Sequence, residues 1–295
     1  MISPRLLSML WCPACQASHL QSAASSDRAP GVPAPGVHTL ICPACEASFP
    51  VQFGFPTLIP EDSLTGAEWQ EWRDHLEKFR ARRMARVENP NETIVKLAGK
   101  SRPQPSFAEF IRIDRGMVLD IGCGPGKFRH LLDPSRVEYI GLDPMPLPEV
   151  SDFPFVQGLA EYIPFKDKSF TDVVVLAALD HFRNLDRFLD EARRVLVPRG
   201  RLHVMQSVHE VRGPVSAVRV LAHKVKDDLE ERRYGEHGRD VPKHLSEFTT
   251  RSLIDRLSRS FDVASVGRYS GTWYSPTKLF LSFEPKQARM PGLTS

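Results

Sequence analysis

Residues 116–126, Gly-Met-Val-Leu-Asp-Ile-Gly-Cys-Gly-Pro-Gly, constrain the fold of this chain more than any other stretch. Met117, Val118 and Leu119, with Ile121 after Asp120, form a short apolar run of the kind buried in parallel sheets. Gly122, Gly124 and Gly126 then fall at alternate positions. A continuing strand does not tolerate that spacing, whereas a sharp strand-to-helix turn needs it. Phe128, Leu131 and Leu132 follow at helical spacing, and Asp133-Pro134 ends that helix. Bare backbone at such a turn lets a ligand sit close to the positive end of a helix.

A glycine-rich turn is shared with NAD-binding domains, so it does not decide the ligand. Two details do more. An acid, Asp120, stands two residues ahead of the first glycine, and a second strand, 138–142, ends on Asp143. That acid lies about twenty residues after the turn, where a carboxylate can accept from both ribose hydroxyls of an adenosine group. Together these residues resemble the class I S-adenosylmethionine-dependent methyltransferases, in which the turn holds the methionine end of the cofactor. The resemblance implies a cofactor site of Asp120, Gly122, Cys123, Gly124, Gly126, Asp143, Pro144, Leu159, Ala160, Glu161 and Ala177. It also implies an α/β fold, a doubly wound, seven-stranded, mostly parallel Rossmann-like sheet.

Four of the five cysteines form two Cys-Pro-Ala-Cys pairs, Cys12 with Cys15 and Cys42 with Cys45. Residues 1–10 show no small-residue cleavage site and read as mature sequence, so metal binding is expected rather than a disulfide framework. Four thiolates suit tetrahedral zinc in a closed structural site. Neither pair opens a helix in a βαβ unit, which speaks against a thioredoxin-like redox role. Residues 1–60 thus read as a zinc ribbon, with the Ser-, Ala-, Pro- and Gly-rich stretch 21–36 as a flexible loop between the knuckles. The segment 41–60 resembles the small zinc-ribbon proteins that activate RNA and protein methyltransferases. Loss of the metal is expected to unfold the ribbon and leave the α/β domain largely intact.

Residues 61–106 read as a helical linker, with Trp69, Trp72, Leu76, Phe79 and Arg83 on one face. Arg80, Arg82, Arg83 and Arg86 make one end basic, but Glu68, Glu71, Asp74 and Glu77 are interleaved, as on an ordinary solvated helix. From 107 to 285 the elements follow α/β order. A third strand spans 152–158 and a fourth 173–178, and Asn184 caps a helix with the stripe Leu185, Phe188, Leu189, Ala192, Val195 and Leu196. A fifth strand spans 201–205, a helix 250–260, and a closing hairpin 261–266 with 278–283. The turn 159–172 resembles the type 11 group of small methyltransferases. Many relatives carry Asp where Leu159 stands, to accept from the adenine amino group, so Glu161 is a candidate substitute. Thr171 also replaces a usual Asp, and Arg199 a usual Gly. Residues 209–241 form an insertion that in this group roofs the acceptor pocket, and 286–295 reads as a disordered tail.

In-line methyl transfer chiefly requires alignment and exclusion of water. A general base is needed only where the acceptor must lose a proton. His181, at the end of the fourth strand, is the candidate; His209, Glu210, His237 and His244 are unranked alternatives from the insertion. Cys123 is expected to be a small packing residue rather than a reactive thiol. The net charge of +3 gives little support to dedicated nucleic-acid binding. No apolar run reaches membrane-spanning length. A cytoplasmic enzyme with a small-molecule acceptor is expected. The alternatives are an RNA methyltransferase using the ribbon to hold RNA, and a non-catalytic cofactor-binding subunit.

Overall fold

The computed structural model describes residues 2–23, 38–52, 54–61, 64–67, 69–77, 103–145, 153–208, 246–270 and 277–286, together with 218, 221 and 225. The N-terminal part holds helix α1 (Pro4–Met9) and strands β1 (Gln21–Ser22), β2 (His38–Ile41), β3 (Ser48–Gln52) and β4 (Phe55–Leu58). Residues 69–77 are helical. Then follow α2 (Pro103–Ile111), β5 (Gly116–Ile121), β6 (Val137–Asp143), β7 (Phe155–Gly158) and β8 (Phe170–Leu176). The chain continues through α3 (Leu185–Val195), β9 (Leu196–Val208), α4 (Thr250–Leu257), β10 (Phe261–Tyr269) and β11 (Thr277–Pro285).

The strands order as β1-β2-β3-β4-β7-β6-β5-β8-β9-β11-β10. From β7 through β6, β5 and β8 to β9 the pairing is parallel, and β11 lies antiparallel between β9 and β10. From β5 the chain winds first to β6 and β7 and then to β8 and β9 on the other side, so the switch point lies between β5 and β8. A crevice at the carboxyl ends of the strands is expected there. Side chains alternate across each strand, which gives the sheet two apolar faces. On one, Phe107 and Ile111 of α2 pack on Val118, Val174, Met205 and Phe280. On the other, Phe188, Leu189 and Val195 of α3 and Leu253 of α4 pack on Leu119, Val173 and Val204. The Asn184 cap forms as expected, its Oδ1 accepting from the Arg187 N–H at 3.0 Å.

The sequence predicts seven strands; the sheet runs to eleven among the described residues. The extra four come from the cysteine-bearing segment. Strand β4 pairs in parallel with β7, Thr57 beside Gln157 and Leu58 beside Gly158, and Thr57 Oγ1 donates to Gln157 Oε1 at 2.8 Å. This covers what would otherwise be an open sheet edge. The Trp11 N–H donates to Pro164 O and the Lys166 N–H to Met9 O. Leu6, Leu10, Cys12, Cys42 and Phe49 belong to the same buried cluster as Leu119, Val156 and Phe165. Sheet and core therefore run without interruption from the cysteine knuckles into the α/β part.

Residues 127–131, expected as α-helix, are a short 3-10 turn. Gly126 enters it in the left-handed region at φ 65°, and Pro134 lies too close behind for a second α turn. Thr171 closes hydrogen bonds to both the N–H and the carbonyl of Met117, tying β8 to β5. Asp172 meets His203 at 2.9 Å. Phe79, the arginines 80, 82, 83 and 86, the candidates His209, Glu210, His237 and His244, and residues 287–295 lie outside the described residues. So does the roof 209–241, save three positions.

Candidate functional site

The glycine turn leaves β5 and folds over the end of β6. The Gly122 N–H donates to Leu142 O at 2.8 Å. Gly122, Gly124 and Gly126 all have positive φ, at 69°, 54° and 65°, which side chains bearing a Cβ rarely adopt. Asp143, at the end of β6, latches the turn: its Oδ2 accepts from the Gly124 N–H at 2.9 Å and its Oδ1 from the Met145 N–H at 2.8 Å. A carboxylate oxygen can accept more than one hydrogen bond.

These residues border a cavity of about 270 Å³. Its walls include Asp120, Gly122, Cys123, Gly124, Asp143, Pro144, Ala177 and His181, which the sequence singles out for the site, Leu76, which it places only on the linker helix, and His75 and Gln104, which it does not name. Gly126, Leu159, Ala160 and Glu161 lie outside the lining. Leu159 packs with Trp69, Trp72 and Tyr162. The buried Glu161 carboxylate accepts from the N–H groups of Arg183 and Asn184 at 2.7 and 3.1 Å. It serves the entry to α3 rather than the cavity. Cys123 is half-buried and packs against the bare face of Gly141, where a Cβ would stand 2.6 Å from its sulfur. Ala177 holds φ 55° at the cavity wall, a strained value for a residue with a side chain.

Asp120 is buried beside the turn. Its Oδ2 accepts from the Tyr139 hydroxyl at 2.6 Å, while Oδ1 has no hydrogen-bond partner among the described residues. Burial pushes its carboxyl up to about 7 from an ordinary 3.8, opposed by the Tyr139 hydrogen bond and aided by the Asp143 charge. The folded state thus holds this proton more tightly than the unfolded chain. The stability it contributes is full below 3.8 and is lost as pH rises through about 7. Urea unfolding at pH 5 and pH 8 should show a loss on the order of 2–4 kcal/mol across that interval, and Asp120→Asn should flatten it. An equal pH dependence in the variant would remove Asp120 as the cause.

His181 follows β8 in a 3-10 turn, Leu179–His181. His75 reaches it from the helical segment 69–77, with His75 Nε2 3.2 Å from His181 Nδ1. The segment is anchored by Trp69 and Trp72, both buried against Leu159 and Tyr162. His75 stands three residues after Trp72, on the same face of the helix, and periodicity could have flagged it.

At the other end of the chain, the sulfurs of Cys12, Cys15, Cys42 and Cys45 all lie within 4.8 Å of one another. Cys12 to Cys45 is 3.7 Å and Cys15 to Cys42 is 3.6 Å. Four thiolates about 2.3 Å from a tetrahedral zinc would stand roughly 3.8 Å apart, so the donor set fits that ion. The two knuckles repeat each other. Backbone N–H groups of Ala14 and Cys15 point at the Cys12 sulfur, and those of Ala44 and Cys45 at the Cys42 sulfur. Gln16 and Glu46 both turn back at positive φ, 51° and 60°.

Residues 119–204, from β5 into β9, match the family described as "Methyltransferase domain". The chain is an S-adenosylmethionine-dependent methyltransferase. The methyltransferase is 29% identical over 192 residues to an uncharacterised methyltransferase of Mycobacterium tuberculosis, covering 60% of this chain and 77% of that one. It is 32% identical over 104 residues to the demethylmenaquinone methyltransferase of Thermotoga maritima, covering 32% and 45%. In fold it is similar to the 1,6-didemethyltoxoflavin-N1-methyltransferase of Burkholderia thailandensis, solved with 1,6-didemethyltoxoflavin and S-adenosylhomocysteine. The TM-score is 0.50 at 17% identity, covering 72% of this chain and 90% of that one. His75, Leu76, Gln104 and the cysteine cluster all precede the matched residues. No helix among the described residues is long and apolar enough to cross a membrane.

Proposed function

We propose that this methyltransferase acts on a small-molecule acceptor in the cavity between the glycine turn and His181, with a structural zinc ion held by Cys12, Cys15, Cys42 and Cys45. The observation that carries the cofactor seat is the latch of Asp143 on Gly124 beside the buried Asp120 Oδ1, which has no hydrogen-bond partner among the described residues. Asp143 accepts from the ribose hydroxyls, Asp120 Oδ1 from the ammonium group of the methionine end, and the backbone from 122 to 126 gives the close approach. When bound, S-adenosylmethionine supplies an electrophilic methyl group on a sulfonium. Leu159 and Glu161 take no part in this seat. The adenine end then rests on apolar and backbone contacts near Pro144 and Met145.

Three observations support a small acceptor. The cavity is about 270 Å³, His75 and Leu76 line it beside the glycine turn, and its wall is mixed apolar and polar. The module of residues 2–58 covers the β7 edge and presses Phe55 onto Phe155, 5.1 Å between ring centres, behind Cys123. We assign it a supporting role for the cofactor turn, in keeping with its resemblance to methyltransferase-activating ribbons.

Incubation with methyl-labelled cofactor and either the low-molecular-weight fraction of a cell extract or total RNA tests the acceptor class. Label is expected in the small-molecule fraction. Label confined to RNA would overturn the assignment. Gly124→Val should abolish labelling of either, because valine at φ 54° is strained by about 1–2 kcal/mol at a residue that lines the cavity.

A further inference from the structure

A second cavity, of about 620 Å³, lies at the opposite end of the sheet from the glycine turn and shares no lining residue with the first. It sits where β8 and β9 begin and β11 ends. Leu196, Val197 and Pro198 give it an apolar wall. Five cationic side chains line it as well, against a single acid, Asp190. One of the five, Arg194, is spent inside the fold. Its guanidinium donates to Glu191, Asp167 and the carbonyls of Ile163 and Phe165. The other four, Lys168, Arg193, Arg199 and Lys286, are exposed and form no ion pair among the described residues. Four like charges around one concavity repel one another, and an ordinary solvated surface intersperses them with acids.

The backbone fixes where these cations stand. Phe170 pairs with Leu196 and Asp172 with Arg201, so residues 197–200 bulge opposite Thr171. Gly200 is bare there because a Cβ would stand 2.9 Å from Thr171 O. Arg199 leaves the bulge at φ 68° and Lys168 leaves its turn at φ 53°, values at which glycine is the less costly residue. Position 199 is the one where type 11 relatives usually carry glycine. The N–H groups of Lys168 and Ser169 donate to Arg194 O and Val195 O at 2.9 and 2.8 Å. They thereby satisfy carbonyls at the end of α3, whose partial negative charge would otherwise oppose an anion. Arg193 stands in the last turn of α3, where the helix dipole alone accounts for a cation. It does not account for Lys168, Arg199 and Lys286.

We propose that this cavity is a second, non-catalytic ligand site, for a phosphate ester that carries at least two phosphate charges on an apolar or planar body, as a nucleoside diphosphate does. The phosphates lie among Lys168, Arg193, Arg199 and Lys286, where guanidinium forks and ammonium groups give charge-assisted hydrogen bonds to phosphate oxygens. The body rests on Leu196, Val197 and Pro198. The volume is that of an ordinary small-molecule site. The cations border one concavity and do not form a stripe several phosphates long, as a polynucleotide backbone would need.

The test is a calorimetric titration of the full chain with uridine diphosphate and with inorganic diphosphate at low salt. Excess S-adenosylhomocysteine is present throughout, so that the first cavity is not open to the probe. Uridine diphosphate should bind at one site per chain and more tightly than inorganic diphosphate. Arg199→Gly with Lys286→Gln should weaken it by about tenfold or more, through loss of two charge-assisted contacts. Arg199→Gly also relieves the positive φ, so the melting temperature should not fall. Arg115→Gln with Arg136→Gln removes two exposed arginines outside the cavity and should leave the affinity within about twofold. No saturable binding, equal affinity in the Arg199 and Lys286 variant, or an equal loss in the Arg115 and Arg136 variant would overturn the proposal. So would inorganic diphosphate binding as tightly as uridine diphosphate, or total RNA binding more tightly than either and losing to the same variant.

Discussion

Cys42→Ser is expected to release the metal and to lower the melting temperature of the whole chain by on the order of 10 °C or more. A structural zinc contributes on the order of 10 kcal/mol to the fold that holds it. In a chain of this size each kcal/mol is worth roughly 2–4 °C. A separable ribbon, as the sequence suggests, would confine that loss to residues 1–60. The structure spreads it. Cys12 and Cys42 are fully buried in the cluster that contains Leu119, Val156 and Phe165. Strand β4 is hydrogen-bonded along β7, and the Gln16 amide donates to Glu191 Oε1 at 3.0 Å. Glu191 in turn holds Arg194, which donates to Ile163 O and Phe165 O in the loop beneath the ribbon. Metal analysis of the wild type should give close to one zinc per chain. Scanning calorimetry of Cys42→Ser should show a single lowered transition. A second transition left at the wild-type temperature would mean that the module folds independently, and a metal-free wild type prepared without chelator would rule out the zinc site.

The parts of the site that are legible in the sequence are those whose function depends on local chain geometry. Alternate glycines after an apolar strand specify the turn, because its positive φ values exclude other residues at low cost. The paired Cys-Pro-Ala-Cys knuckles specify their own sulfur geometry, since each closes within four residues. Asn184 announces α3 by the same kind of short-range hydrogen bond. What is not legible depends on contacts between distant segments. The parallel pairing of β4 with β7 joins residues a hundred apart in the chain, and nothing in Phe55-Pro-Thr-Leu58 marks its partner. His75 sits in a charge-laced helix and becomes part of the site only where Trp69 and Trp72 dock on Leu159 and Tyr162. Glu161 reads as available for adenine because its sequence neighbours give no hint of Arg183 and Asn184, whose N–H groups donate to it. Thr171, standing where relatives carry an acid, is explained by Gly116, where an added Cβ would stand 2.3 Å from the threonine oxygen. The two residues are fitted to each other across β5 and β8.

Asp143→Ala carries the second large effect. The carboxylate makes two hydrogen bonds to backbone N–H groups, one of which shapes the glycine turn at Gly124. Alanine leaves the Gly124 and Met145 donors without their acceptor and removes the acceptor for two ribose hydroxyls. Hydrogen bonds to a charged group are worth about 1.5–3 kcal/mol each, so loss of one ligand contact alone weakens binding roughly 10- to 150-fold. Distortion of the turn adds to that loss. The fold should survive, because Asp143 ends β6 rather than filling the core, and Val137, Ile140 and Leu142 keep that strand buried. The decisive measurement is a calorimetric titration of wild type and Asp143→Ala with S-adenosylhomocysteine under one buffer and temperature. The wild type should show one site per chain, and the variant an affinity at least tenfold weaker. Absence of binding to the wild type, or equal affinity in the two proteins, would contradict the placement of the cofactor at the glycine turn.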